Sequence, residues 1–520
     1  MGYNIGIGRN KIIYPKEWVA LRPYDVADEA DRYYVQMANN AVRVLEKSAM
    51  RDFFDGDLDL LRKAGVYLSM WFEDICSNLG IWQTVNRECA KRYGAVLPFY
   101  DTSEYYEGEV NVQDLALLLW HFMQTFADPG TIINPENAGL IETAADLADL
   151  FDNEYETAPE NTRLRDFIHD PAVADDWWKC RELIEWFYMY SYVFVGSFED
   201  VADAVEELLD SYNDMDASVP DLSWDIMDKK FYLLKIEHIF GGRHNLLSLT
   251  AAQWCGKITG NPVFDTVHRY PTSYYLYKGL TDNGTFMLQD MCDGKEYEVE
   301  NNSYGAGDSI LSGSKVGETV MVTNLASFKD MHYVVGVTVS EDKSEVMKEV
   351  EAKRRNDRLM ESQKEIYPLF LKASKGEPAV FVKDLAEMKA FYKQVMPKMS
   401  DNFPIQEIPT GATCVGIYCD PVVGIYVAAA AGECVALPSN RFYDKEAARK
   451  SALGFYCDAD IVTYRTACIL HDRDLIPDAA LTSVRGYEHG RDFLHRNGRF
   501  FIDYFYECCR ELDYDPYCVK

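Results

Sequence analysis

No stretch of the sequence is apolar for the roughly 20 residues a membrane-spanning helix needs. Polar residues soon interrupt every longer apolar run, and Val422 to Ala431 is too short to cross a bilayer. The beginning, Met-Gly-Tyr-Asn-Ile-Gly-Ile-Gly-Arg-Asn-Lys, lacks the apolar stretch of a secretory signal. It also lacks the Ser or Thr of a myristoylation pattern, because Gly6 stands there. The 13 cysteines, spread from Cys76 to Cys518, do not form the dense framework of a small disulfide-stapled domain. These absences predict a cytoplasmic protein with reduced thiols, unanchored and away from membranes.

Basic residues are scarce in one place only. Of the formal charge of −32, residues 101–225 contribute −26, with 30 Asp and Glu against 4 Lys and Arg. Such a segment repels nucleic acid and anionic lipid, so no direct nucleic-acid binding by this part is expected, and it attracts a basic protein partner. Its plainer reading is a set of solvated helix faces.

Complete catalytic motifs are missing too. There is no Gly-x-Ser-x-Gly elbow, no His-Glu-x-x-His and no paired Cys-His signature. Asp55, Asp57 and Asp59 have calcium-loop alternation, but Leu60 replaces the turn glycine and Val66 the bidentate Glu. Gly2, Gly6 and Gly8 before Lys11 have neither the preceding strand nor the Gly-Lys-Ser/Thr ending of a phosphate loop. Cys414, Cys419, Cys434 and Cys457 lack zinc-ribbon spacing and read as small buried hydrophobes, as do Cys508, Cys509 and Cys518. No metal and no cofactor is expected, and whether the chain is an enzyme stays open.

What is present is a core-forming composition, 48% apolar and 13% aromatic, over a length that suits several domains. The period predicts a multidomain α+β protein. Residues 1–258 read as an acidic, mainly α-helical domain, with an apolar stripe through Leu58, Leu61, Leu68, Trp71, Phe72 and Ile75. Helices are predicted at Val112 to Phe126, capped by Asn111 and apolar all round at Leu115 to Trp120, and near Ala138 to Phe151, Ala174 to Val195 and Phe198 to Tyr212. Residues 259–340 read as a small antiparallel β barrel or sandwich. Its strands are Thr272 to Leu280, Thr285 to Met291, Glu296 to Glu300, Glu318 to Leu325 and His332 to Ser340, with hairpins at Asp282-Asn-Gly and Asp293-Gly. Residues 341–377 read as a charged, solvent-exposed helical linker. Residues 378–520 read as an α+β C-terminal domain, with strands at Ala412 to Tyr418 and Val422 to Ala430 and helices at Asp444 to Phe455, around Val462 to Leu470 and within Tyr487 to Cys509.

Three surfaces are candidates for function. His489, Arg491 and His495, near His471-Asp-Arg-Asp474, combine imidazoles that titrate near neutrality with a guanidinium that can grip an oxyanion. They suit a hydrolase or transferase acting on an anionic small molecule. Against this, His489 and His495 are six apart and lie on different helix faces. Trp177, Trp178 and Trp186, beside Asp175 and Asp176, belong to an aromatic-rich helix that offers either a partner groove or core packing. In the first β strand Tyr275 and Tyr277 share one face and Tyr274 and Leu276 the other, so an open aromatic side for a peptide or sugar is a third candidate.

Three passages carry a resemblance: Val110-Asn-Val-Gln-Asp-Leu running to Leu119-Trp-His-Phe-Met-Gln124, Leu437-Pro-Ser-Asn-Arg-Phe-Tyr443, and Leu475-Ile-Pro-Asp-Ala-Ala-Leu481 followed by Asn497-Gly-Arg-Phe-Phe501. Over most of its length the chain resembles an uncharacterised family of cytoplasmic proteins from gut-dwelling anaerobic bacteria. The resemblance implies a helical front half, a small β module and a mixed C-terminal region, and no site residues. The leading expectation is an interaction or scaffold protein whose acidic helical domain engages a basic partner.

Overall fold

A computed structural model describes residues 12–128, 130–197, 201–206, 224–301, 314–336, 339–397, 412–428 and 432–506. It is mixed α+β and forms two compact units. One comprises residues 1–90, 100–126 and 137–354, the other residues 91–99, 127–136 and 355–520.

In the first unit, the stripe through Leu58 and Trp71 becomes helix Leu58–Ser77, started by Asp57, whose carboxylate accepts from the amides of Asp59 and Leu60. Helix Val112–Thr125 is central, and every residue from Asp114 to Met123 is buried, as all-round apolarity requires. Asn111 occupies its N-cap position without capping it. Its side chain instead clamps the preceding loop, exchanging hydrogen bonds with the Tyr106 backbone and donating to Glu109 O. Further helices run Glu29–Leu45, Ile81–Tyr93, Ala138–Tyr155, Trp177–Tyr190, Trp224–Gly241 and Ala251–Thr259. Of the helix expected at Phe198 to Tyr212, residues 201–206 are helical and the remainder lies outside the described residues.

The same unit holds a six-stranded sheet of β1 Arg269–Leu280, β2 Phe286–Asp290, β3 Glu296–Val299, β4 Thr319–Phe328, β5 Met331–Val334 and β6 Val339–Asp342. The last predicted strand is thus two pieces. Both hairpins form where expected, with Gly284 and Gly294 at positive φ in the turns. β1 shifts register twice, beside Pro271, which cannot donate to a ladder, and at Lys278, between Tyr277 and Gly279. β1 pairs with both β2 and β4. The order β1-β2-β3-β5-β4 returns to β1 through that second pairing, with β3 and β5 joined in parallel at Val299 and His332.

Tyr275 and Tyr277 point to one side, among Phe286, Leu288, Tyr297 and Leu325. The other side is not open. Leu276, Met291 and Val320 pack against Val346 and Val350 of helix Lys343–Lys364, with Tyr274 partly buried beside them. This corrects the expectation of a wholly solvent-exposed linker helix. Lys353 ties the helix down by donating to Thr272 O and Ser273 Oγ.

The second unit is built on a three-stranded antiparallel sheet, β7 Ala379–Val382, β8 Val415–Asp420 and β9 Gly424–Ala428. Asp420 makes the expected turn by accepting from the amides of Val422 and Val423. Helices Ile366–Ala373 and Leu385–Val395 cover the sheet through Phe370, Met388, Phe391 and Tyr392. The helix predicted at Asp444 to Phe455 is two pieces, Lys445–Ser451 and Gly454–Cys457, followed by Tyr464–Asp472 and Tyr487–Phe505.

Candidate functional site

The aromatic-rich helix Trp177–Tyr190 mostly faces inward. Trp177 is buried and stacks on Tyr333 of β5, with ring centroids 4.7 Å apart. Trp186 is buried and donates from its indole to Leu21 O at 3.1 Å. Asp176 caps the helix, accepting from the amides of Trp178 and Lys179. Asp175 is exposed and forms an ion pair with Lys329 at 2.6 Å. Of the three indoles only Trp178 reaches solvent, with Arg181 5.7 Å from its ring centroid.

In the second unit the C-terminal residues sit on helix Tyr487–Phe505 but do not converge. His489 Nε2 lies 2.8 and 3.0 Å from the two carboxylate oxygens of Glu136. Arg491 pairs with Glu488 and Asp492 on its own helix. His495 is exposed, its ring 6.0 Å from that of His471. None of the three lines either described cavity. A different convergence joins the second and third resemblance passages. Asp478, nearly buried, accepts from Tyr443 Oη, while Tyr487 Oη donates to Asp478 O at 2.7 Å and Lys445 Nζ lies 3.6 Å away. Burial pushes the thiols of Cys414, Cys419 and Cys434 up to about 12, which holds them protonated.

The acidic segment has a located surface. Residues 93–162 contain no Lys or Arg and 14 Asp and Glu. On helix Ala138–Tyr155, Glu142, Asp146, Asp149 and Asp152 are exposed at helical spacing, while Leu140, Ala144, Leu147 and Phe151 fill the buried face. Among the described residues no ion pair involves these four carboxylates. Like charges three and four apart cost a helix about 0.2–0.5 kcal/mol per pair. The 101–109 loop, with Asp101, Glu104, Glu107 and Glu109 exposed, is joined to the same helix by Tyr155 Oη donating to Gly108 O at 2.8 Å.

Beneath this surface lies a cleft of about 240 Å³ lined by Asp74, Asn78, Gly80, Trp82, Gln83, Asn86 and Tyr155, among others. Local sequence builds it. Helix Leu58–Ser77 ends on Asn78 in the left-handed region, Gly80 follows at positive φ, and the chain re-enters helix Ile81–Tyr93. Asp74 spans that break by accepting from the amides of Ile81 and Trp82 and from Tyr192 Oη. Burial raises its carboxyl above the usual range. Behind the cleft, burial pushes Asp114 up to about 7, against hydrogen bonds from Tyr105 Oη and the Asn111 side-chain amide. Tyr105 Oη also reaches Asn86 Oδ1 at 3.0 Å, and the buried Asn86 amide nitrogen has no partner among the described residues. Leaving such a group unmatched costs about 1–3 kcal/mol.

Sequence reasoning missed this cleft. Its polar residues are separated by helix-surface spacing, and only Asn78-Leu-Gly80, a helix-stop signal, marks it.

No curated protein and no solved structure matches the sequence. A family model matches residues 12–305 and 317–507, and the chain therefore belongs to the family described as Protein of unknown function (DUF3843).

Proposed function

We propose that the protein is a cytoplasmic interaction or scaffold protein whose acidic helical domain, residues 1–258, engages a basic protein partner. The observation that carries this reading is the run of exposed carboxylates on helix Ala138–Tyr155, without an ion pair among the described residues and inside a 70-residue stretch without a single Lys or Arg. A surface that holds like charges together at a cost to its own helix is complementary to cations and raises the rate at which they arrive. The β module serves as scaffold. Its ring of strand pairings supports a small closed barrel, and Trp177, stacked on Tyr333, fixes it to the helices. The test is titration of a Lys/Arg-rich peptide onto the full chain at rising ionic strength. Binding that weakens with salt supports the reading, and no binding at low salt rejects it.

A second reading, a hydrolase or transferase on an anionic small molecule, draws support from His489 held by Glu136, a carboxylate-oriented imidazole of the kind general bases use. A His489→Ala variant that keeps full activity in a phosphatase and phosphotransfer screen, or no activity in the parent, removes it.

A further inference from the structure

We propose that the cleft at the break between helices Leu58–Ser77 and Ile81–Tyr93 binds an uncharged, polyhydroxylated molecule about the size of one monosaccharide.

The cleft lies within one compact unit. At about 240 Å³ it is smaller than the roughly 300–1,000 Å³ that drug-sized ligands occupy, which leaves room for a single small ring. The lining contributes no Lys, Arg or His. Its one carboxylate, Asp74, is already occupied by three donors, and the Tyr155 hydroxyl is committed to Gly108 O. Neither a phosphate nor an ammonium therefore finds a charged partner in the lining.

The unspent polarity is amide. The Asn86 nitrogen, in a residue only 3% exposed, has no hydrogen-bond partner among the described residues. Gln83 donates to Asn78 Oδ1 at 3.1 Å, which leaves the Gln83 carbonyl and the Asn78 nitrogen for other groups. Two donors and one acceptor, all neutral, match hydroxyls, which both give and accept. The exposed acids of the 101–109 loop beside Gly108 add a negative field that disfavours sugar phosphates and sugar acids. This inference does not depend on the partner reading, because the cleft can fill whether or not a basic protein binds outside.

The experiment is ligand-observed saturation-transfer NMR on the full chain, with neutral aldohexoses, hexitols and N-acetylhexosamines as probes and glucose 6-phosphate and 1,4-diaminobutane as counter-probes. Saturation transfer to at least one neutral probe is expected, with little to the phosphate or the diamine. Gln83 is exposed on its helix, so Gln83→Trp fills the cleft mouth and Gln83→Ala removes the acceptor without disturbing the core. A loss of affinity of at least tenfold in Gln83→Trp, and a smaller loss in Gln83→Ala, is expected. No signal from any neutral probe, preferential binding of the phosphate or the diamine, or undiminished binding by both variants overturns the proposal.

Discussion

At the scale of single residues, burial decides which of the conspicuous side chains can act. Trp177 and Trp178 are neighbours in sequence, yet one is 3% and the other 37% exposed. Trp177→Ala should lower stability by about 3–5 kcal/mol in chemical denaturation, whereas Trp178→Ala should change it by less than about 1 kcal/mol. Asp114 gives a pH signature. Its carboxyl is raised by burial to about 7 in the folded protein, against about 4 when unfolded. Between those values the folded state keeps a proton that the unfolded state has lost, so this group's contribution to stability falls as pH rises from about 4 to 7. Asp114→Asn should flatten that slope, the difference from the parent amounting to about 2–4 kcal/mol across the window. Equal slopes in parent and variant would refute the assignment. Little of this was legible beforehand. Asp114 stands in the first turn of its helix, where an acid favours the helix dipole, and only the surrounding fold makes it a buried one.

At the scale of elements, local pattern located most boundaries and failed where the partner surface is distant. The apolar run at Leu115 to Trp120 and the Asp-Asn-Gly and Asp-Gly turns carry their own instructions. They gave a central helix and two hairpins within a few residues of the observed ends. Helix Lys343–Lys364 misleads because its charges outnumber its apolar residues, while its docking rests on few side chains, among them Val346 and Val350. Val350→Asp should accordingly cost about 2–4 kcal/mol, because it places an unpaired charge against Leu276 and Val320. A fully stable variant would mean that the helix does not hold the sheet. In the second unit Gly490 marks a contact that sequence cannot announce. A Cβ there would sit 1.9 Å from Leu481 O, so Gly490→Ala should destabilise despite alanine's better helix propensity.

At the scale of the whole molecule, charge is distributed as a division of labour. Acids in most of the chain are nearly balanced by bases, whereas residues 101–225 are not. The candidate sites differ in how far sequence revealed them. The acidic segment was legible as composition, and the fold adds which carboxylates face outward on one helix. The C-terminal His and Arg residues were legible as a cluster in sequence, but helical geometry sends His489 to Glu136 and His495 toward His471. Pairings such as Tyr93 with Asp503, 410 residues apart, leave no trace in local periodicity. The most direct test of the acidic-surface account compares the parent with a variant carrying Glu142→Gln, Asp146→Asn, Asp149→Asn and Asp152→Asn, by calorimetric titration of a Lys/Arg-rich peptide between about 50 and 500 mM salt. Parent affinity is expected to fall at least tenfold over that range, and the variant, with its fold intact, to bind at least tenfold more weakly at low salt. Affinity indifferent to salt, or equal in parent and variant, would contradict it.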